Sequence, residues 1–244
     1  MVSGLPSSGV CFDHRRGEPY LRFQSNDEEF CLTPVRNVDV EAIVPILNDP
    51  AVYTHLLTPY PYTKEHAEVL VNDQVQKYEL DRQFFTGDER QPISTGKIFD
   101  YNPMLAIRQQ CSDGSQQFLG ILGMWRSMFL YEAVEHRKLE LKTQNEAKAA
   151  GDPSIIYSVA YYLDPAVHGK GIMTAALHKM IHSWAIPHID VHEITVGIIE
   201  DNWASRKVLD KLGFKLVEKV DGVTPTQGRR EVVLGQWLMR YTVE

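Results

Sequence analysis

The segment His168-Gly169-Lys170-Gly171 carries the chemistry that is easiest to read in this chain. Two glycines let a backbone approach a ligand closely. A helix opening at Ile172 would leave the first N–H groups, those of Ile172, Met173 and Thr174, without intrahelical partners. Such groups and the helix dipole together make an anion site, and a diphosphate or pyrophosphate fits it. Each helix-end charge interaction is worth roughly 0.3–1 kcal/mol, so several donors must act together. Lys170 adds a cation and His168 stands beside the loop. The loop is neither GxxxxGK[ST] nor GxGxxG. Taken alone, it also reads as a plain strand–turn–helix junction in which glycine relieves crowding.

Two further groups of residues invite a chemical reading. Asn202 has the side chain and position of a helix N-cap, with Ser205 at the third helical position. His178 and His182 lie one helical turn apart, with His188 and His192 nearby. No Cys or Glu completes a metal site at a recognised spacing, so no metal is expected. Cys11, Cys31 and Cys111 are scattered and cannot all pair, which reads as free thiols in a reducing compartment.

The elements that must position these residues follow from periodicity. Residues 155–163 alternate, with Ile155, Tyr157, Val159, Tyr161 and Leu163 on one strand face and Ile156, Ser158, Ala160 and Tyr162 on the other. Ile172–Ile186 repeats its apolar residues at the period of a helix buried on one face, and Pro187 is expected to end it. Glu193–Ile199 alternates as a second strand. Gly213 suits the position just after a helix that starts at Trp203. Upstream, 30–35 reads as a strand and Asp39 to Asn48 as a short helix strained by Pro45. Residues 58–63 read as a loop, and Thr63 caps a helix with Ala67, Leu70, Val71, Val75 and Tyr78 on one face. Residues 104–110 and 118–127 flank a Cys-Ser-Asp-Gly-Ser turn as a hairpin, and 214–220 and 231–241 close the chain as strands. The Gly-, Pro- and charge-rich residues 1–28 read as an N-terminal arm, and the polar stretch 131–150 as a solvated insertion within a domain spanning 29–244. The order predicts one α/β domain of the α+β type, a mixed, mostly antiparallel sheet flanked by helices.

The run His-Gly-Lys-Gly-Ile-Met-Thr-Ala-Ala (168–176) resembles the pyrophosphate loop of the GNAT N-acetyltransferases, whose pattern is Gln/Arg-x-x-Gly-x-Gly/Ala. Asn-Trp-Ala-Ser-Arg-Lys-Val-Leu-Asp-Lys-Leu-Gly-Phe (202–214) resembles their second signature. Leu-Thr-Pro-Val-Arg-Asn-Val-Asp (32–39), Leu-Asn-Asp-Pro-Ala-Val (47–52) and Pro-Tyr-Thr (61–63) are similar to the start of the Rim-type branch, which acetylates ribosomal-protein N-termini. The resemblance covers 30–241 and implies acyl-CoA-dependent transfer to a primary amine, with acetyl-CoA as co-substrate. It implies that Tyr161, Tyr162 and Leu163 offer strand backbone groups to the pantetheine arm and the acyl carbonyl. It implies that His168, Gly169, Lys170, Gly171, Ile172, Met173 and Thr174 hold the pyrophosphate, and that Asn202 and Ser205 stand near the cofactor. The sequence departs from the family where some relatives carry a general base or acid: those positions hold Gly197, Leu209 and Ser158. Glu200, on the face of Val196 and Ile198, is then the candidate base. Tyr60 and Tyr62 are candidates for the wall on the amine side.

Composition bounds what else the chain can be. It has 244 residues, 43% of them apolar and 23% charged, enough for one large domain with its own core. The net charge of −7 argues against a dedicated nucleic-acid or anionic-membrane partner. The longest apolar or glycine run, 118–125, is far below the roughly 18 residues of a spanning helix. The first residues show no apolar core of a secretory signal, so a cytoplasmic location is expected, a nuclear fraction remaining open. Two other readings stay open at this level: a non-catalytic acyl-CoA-binding protein on the same scaffold, and a nucleotide-phosphate binder resting on the loop alone. Oligomeric state and the identity of the amine are not legible in the sequence.

Overall fold

In the computed structural model, which describes residues 9–85, 97–224 and 234–243, the chain folds around one twisted sheet. The strands are β1 (Cys11–Asp13), β2 (Glu18–Ser25), β3 (Glu28–Thr33), β4 (Ala106–Gln110), β5 (Gln116–Arg126), β6 (Ile156–Leu163), β7 (Glu193–Ile199), β8 (Lys215–Thr224) and β9 (Leu234–Thr242). The helices are α1 (Val40–Leu47), α2 (Pro50–Tyr53), α3 (Lys64–Asp81), α4 (Glu135–Glu146), α5 (Ile172–Met180) and α6 (Trp203–Lys211). The sheet runs β1-β2-β3-β4-β5-β6-β7-β9-β8. Its neighbours are antiparallel except β6 and β7, which run parallel.

That parallel pair builds the site. β6 and β7 pair only at Ile156↔Glu193 and Tyr157↔Ile194. Beyond these residues the facing edges part, while β6 stays in register with β5 and β7 with β9. The C-terminal halves of β6 and β7 therefore present backbone groups to a gap rather than to each other.

Each face of the sheet is covered. On one side α5 packs Ile172, Met173, Ala176, Leu177 and Met180 against β2, β3, β5 and β6 residues such as Leu21, Leu32, Leu119 and Val159. On the other, Ile43, Leu47, Val52, Ala67 and Val71 of α1–α3 pack on Leu105, Ala106, Phe118 and Ile121. The β6 alternation holds: Ile155, Tyr157, Val159 and Leu163 are buried and Ala160 is exposed. Thr63 caps α3, its hydroxyl accepting from His66 N–H while His66 Nδ1 accepts from Thr63 N–H.

Two expectations are corrected. Residues 9–28 are not an arm: β2 pairs with β3 through Leu21↔Leu32 and Phe23↔Phe30, and Leu21 and Phe23 enter the core. Their alternation is short and surrounded by charge, and a two-residue turn with positive φ at Asn26 (50°) and Asp27 (63°) joins the strands. Residues 1–8 of the expected arm, the start of the last strand at 231–233 and most of the loop before it lie outside the described residues. Second, Pro187 does not end the helix that begins at Ile172. From Ile181 to Ile189 the chain continues as a wider π-helix and stops at Asp190, whose φ is 60°. Burial of Trp184, Ala185 and Ile189 holds the extra turns, and Trp184 Nε1 donates to the Tyr101 carbonyl at 3.0 Å. The 131–150 stretch is largely solvated, as expected, and is anchored at its end. It holds α4, Arg126 Nη1 donates to the carbonyls of Asn145, Glu146 and Lys148 at its end, and the buried Asn145 side chain bridges the N–H and C=O of Ile156.

His188 sits in the π-helix with its ring stacked on Trp184, centroids 4.7 Å apart. Burial lowers its pKa below the ordinary histidine value. As pH falls the unfolded chain therefore binds the proton first, and this residue's contribution is lost as pH drops through about 6.5. His188→Phe keeps an aromatic stack without a titration. Its melting temperature is expected to fall less than the wild type's between about pH 7.5 and about pH 5.5. Parallel curves would overturn this assignment.

Candidate active site

A cavity of about 560 Å³ opens beside the C-terminal end of β6. Tyr161–Leu163 of β6, the loop before α5 with the start of that helix, and one side of α6 line it. Ala51, Val52, His55 and Leu56, in and just after α2, complete the lining.

The glycine loop has the geometry of an anion cradle. Gly169 and Gly171 both have φ +76°. L-residues pay about 1–2 kcal/mol in that region, so glycine is required by the backbone itself. At Gly169 a Cβ would meet nothing within 4 Å, so its requirement is conformational, not steric. The Lys170 carbonyl is held by Ser25 Oγ at 2.8 Å and Asn26 Nδ2 at 2.9 Å. The β2–β3 turn thus braces the loop, and Gly169, Gly171 and the first residues of α5 line the cavity. Removing both donors (Ser25→Ala with Asn26→Ala) is expected to weaken CoA binding about tenfold, the scale of one or two neutral hydrogen bonds. Calorimetric titration checks this; unchanged affinity would remove the brace from the site.

His168 turns its ring back, Nε2–H donating to the Leu163 carbonyl at 2.9 Å, and so closes the loop on the strand end. Lys170 contributes its carbonyl, but its side chain does not line the cavity. The cations that do are Lys207 and Lys211 of α6. An adjoining hollow of about 480 Å³ shares Gly171, Thr174 and Lys211 and adds His178 and Lys179. The α6 lysines were hidden in the sequence because only the packing of α6 beside α5 brings them to the loop.

Asn202 caps α6, its Oδ1 accepting from Ser205 N–H at 3.0 Å. The Tyr161 hydroxyl reaches the Ser205 carbonyl at 3.5 Å, which ties strand floor to helix wall. Burial pushes Tyr161 up to about 12. The Tyr162 hydroxyl is buried with no hydrogen-bond partner among the described residues. Burial, then the neighbouring Tyr62 and Asp39, hold it well above its ordinary pKa, so it stays a proton donor. Tyr62 is buried, and its backbone is clamped by Asn48 through Oδ1 at 2.9 Å and Nδ2 at 2.7 Å. Tyr60 stacks on Tyr53 and does not line the cavity.

Glu200 is not brought to this cavity. Its carboxylate pairs with Lys219 Nζ at 2.7 Å beside Gly235. Where relatives place a base, a Cβ at Gly197 would meet Gln236 Oε1 at 2.5 Å and Tyr131 Cβ at 3.4 Å, so the space is filled. Ser158 donates to Ser127 Oγ at 3.0 Å, and Leu209 is fully buried. His178 and His182 stack with centroids 4.4 Å apart. Among the described residues no group of three or more His, Cys, Asp or Glu side chains is placed to hold a metal. No described helix is long and apolar enough to cross a membrane.

A parallel strand pair that parts after two residues, a glycine loop before a helix and an Asn-capped helix beside it make up the surroundings of this cavity. The family model for the acetyltransferase (GNAT) domain matches residues 29–215. The chain belongs to the GNAT acetyltransferase family. Over 56 residues it is 39% identical to the probable N-acetyltransferase YjcK of Bacillus subtilis, a match spanning 23% of this chain and only 30% of that relative. Among solved structures, Mycobacterium smegmatis RimJ in complex with CoA-disulfide superposes with a TM-score of 0.58 at 16% identity, covering 92% of this chain and 87% of that one. The ribosomal-protein-S5-alanine acetyltransferase of Vibrio fischeri superposes at 0.56 with 16% identity, covering 91% and 96%. These likenesses establish the fold, and they place Rim-type proteins among its structural neighbours.

Proposed function

We propose that this protein transfers an acetyl group from acetyl-CoA directly to a primary amine, the α-amine of a peptide or protein N-terminus or a small amine of similar basicity. The observation that carries this reading is the cavity beside the C-terminal end of β6, lined by the positive-φ glycine loop, the start of α5, α6 and the residues of and after α2. The loop suits a pyrophosphate: its backbone needs glycine, it leads into the N-terminus of α5, and Lys207 and Lys211 line the same cavity. Bound there, acetyl-CoA would supply an activated thioester.

The chain's own residues do the rest. Backbone groups of Tyr161–Leu163 on the open edge of β6 orient the pantetheine arm and polarise the acyl carbonyl. Tyr162, protonated and without a hydrogen-bond partner among the described residues, offers a hydrogen bond to the departing sulfur, which takes up the proton released by the amine and leaves Tyr162 protonated throughout. The nitrogen–carbon bond forms as the carbon–sulfur bond breaks; the amine gives up one proton and the sulfur gains one. A lysine amine costs about 4 kcal/mol to neutralise near pH 7.4 and an α-amine under about 1, which favours the α-amine where no carboxylate among the described residues lines the cavity.

The test is calorimetric titration with acetyl-CoA, CoA and ATP, followed by thiol release with peptides bearing free Ala, Ser or Met N-termini. CoA-specific binding with amine-dependent thiol release supports the reading. Binding without amine-dependent release would favour an acyl-CoA-binding role, which the loss of a base at Gly197 and Ser158 also fits. Binding of ATP but not CoA would overturn the reading.

A further inference from the structure

On the sheet face that carries α1–α3, Leu105, Ala106, Phe118 and Ile121 lie beneath the helices. Further along this face, on β7 and β9, Thr195, Gln236 and Leu238 are buried. Between these two covered regions Ala160 of β6 and Gly197 of β7 stay exposed. Alternation sets the side: Ala160 shares it with Tyr162, which packs against the α1–α3 layer. The strands pair at Ile156↔Glu193. Four residues on, Ala160 and Gly197 therefore stand level, where β6 and β7 have parted.

Small residues floor this spot and aromatic side chains wall it. Gly123 of β5 pairs with Ala160, and a Cβ on Gly123 would stand 2.5 Å from the Trp125 ring, so that ring lies over Gly123. A Cβ on Gly197 would stand 3.4 Å from Tyr131 Cβ and 2.5 Å from Gln236 Oε1, so these side chains bound the spot on the β7 side. Trp125 and Tyr131 are each half-buried. The result is a shallow pit at Ala160. Its walls stand on strands two apart, about 10 Å in a paired sheet before the thickness of the rings is taken off.

The pit adjoins the cavity. Tyr161–Leu163 line the cavity, and Ala160 is the residue before them. A strand rises about 3.3 Å per residue, so Ala160 stands one step from the backbone that the transferase reading gives to the acyl carbonyl. Nitrogen and Cβ of an N-terminal residue are about 2.5 Å apart. When that nitrogen reaches an acyl carbon held at Tyr161–Leu163, its side chain falls over the pit.

Resting on the transferase reading above, we propose that the pit at Ala160, walled by Trp125 and Tyr131, receives the first side chain of an acceptor peptide and selects a small one, alanine or serine over leucine or phenylalanine. Trp125 and Tyr131 are specificity residues, which touch that side chain and not the reacting atoms. Tyr131 lies between β5 and α4, so the stretch before β6 supplies the wall on the β7 side.

The test uses the full chain and peptides that differ only in their first residue, Ala, Ser, Leu or Phe. Wild type is expected to show kcat/KM at least about tenfold higher for the Ala and Ser peptides than for the Phe peptide, the scale on which a pocket separates side chains by size. Ala160→Leu fills the pit and is expected to lower kcat/KM for the Ala peptide more than about tenfold. Its acetyl-CoA affinity is expected to stay within about threefold of wild type, because Ala160 is not among the residues lining the cavity. Trp125→Ala is expected to narrow the Ala-to-Phe ratio to about threefold or less by raising kcat/KM for the Phe peptide. An Ala160→Leu variant within about twofold of wild type on every peptide overturns the proposal and leaves the transferase reading intact. So does thiol release with a small amine and with none of the peptides. Where Ala160→Leu fails to fold or to bind acetyl-CoA, Trp125→Ala and Tyr131→Ala decide, and an Ala-to-Phe ratio unchanged in both overturns the pit. Should wild type bind acetyl-CoA and release no thiol with any amine, the transferase reading fails, and calorimetric titration of the CoA-loaded protein with the Ala peptide judges the pit separately. Peptide binding that is lost in Ala160→Leu supports the pit. No binding, or equal binding in both, overturns it.

Discussion

Gly171→Glu is expected to abolish measurable CoA binding, with Kd raised more than about 100-fold, or roughly 2.7 kcal/mol. Two effects act in the same direction. The backbone at Gly171 has φ +76°, and a Cβ there would stand 3.3 Å from Ser25 Oγ, the hydroxyl that holds the Lys170 carbonyl. Strain at a non-glycine residue in this region costs about 1–2 kcal/mol, so Gly171→Ala alone is expected to weaken binding by roughly 5- to 30-fold. Glutamate adds a carboxylate at the start of α5, where the dipole and free N–H groups welcome an anion. The protein's own carboxylate would then occupy the place meant for phosphate and repel it. Calorimetric titration with CoA separates the effects, since only the charged variant should lose binding altogether. Equal affinities in wild type and Gly171→Glu would remove the loop from the site. The fold should survive the change, because Gly171 is exposed.

What the sequence makes legible here is what depends on near neighbours. The β6 alternation, the α5 apolar face, the Thr63 and Asn202 caps and the Gly213 terminator, φ +85°, are short-range patterns, and the structure has them all. The glycine loop and the cap at Asn202 come from the same kind of pattern, so that part of the cavity lining is legible. The part contributed by the α1–α3 layer is not. His55 and Leu56 reach the cavity only because the α1–α3 layer folds over the sheet, and neither lies in a pattern that marks it. Lys207 and Lys211 look like an ordinary solvated helix face until α6 is set against the loop. β2 is hard to see in the sequence because Leu21 and Phe23 alternate for only a few residues among Arg, Glu and Gly, and only pairing with β3 gives them a core. Pro187 is the converse case: a local breaker is overridden where tertiary burial of Trp184 and Ile189 is large.

The same dependence on distant partners makes Asp39→Ala the most damaging single change expected for stability. Arg108 of β4 is buried, and its guanidinium reaches both carboxylate oxygens of Asp39, at 2.9 and 2.7 Å, as well as Thr33 Oγ1 at 2.7 Å and the Pro34 carbonyl. Asp39 also accepts from Arg36 N–H at 2.7 Å, immediately before α1 begins. The pair thus pins the start of the α1–α3 layer, and with it the wall carrying His55, to the centre of the sheet. Removing the carboxylate leaves an unpaired buried cation, which costs about 3–5 kcal/mol. For a chain of this size that is a melting temperature lower by roughly 6–20 °C. Replacing both partners (Arg108→Met with Asp39→Leu) removes the stranded charge and should recover much of the loss. Urea unfolding of the two variants decides the point: a double variant no more stable than Asp39→Ala would mean that the carboxylate's bond to Arg36, not its charge, anchors the layer. Because the glycine cradle rests on the β2–β3 turn instead, the folded fraction of Asp39→Ala should still bind CoA while its amine transfer falls.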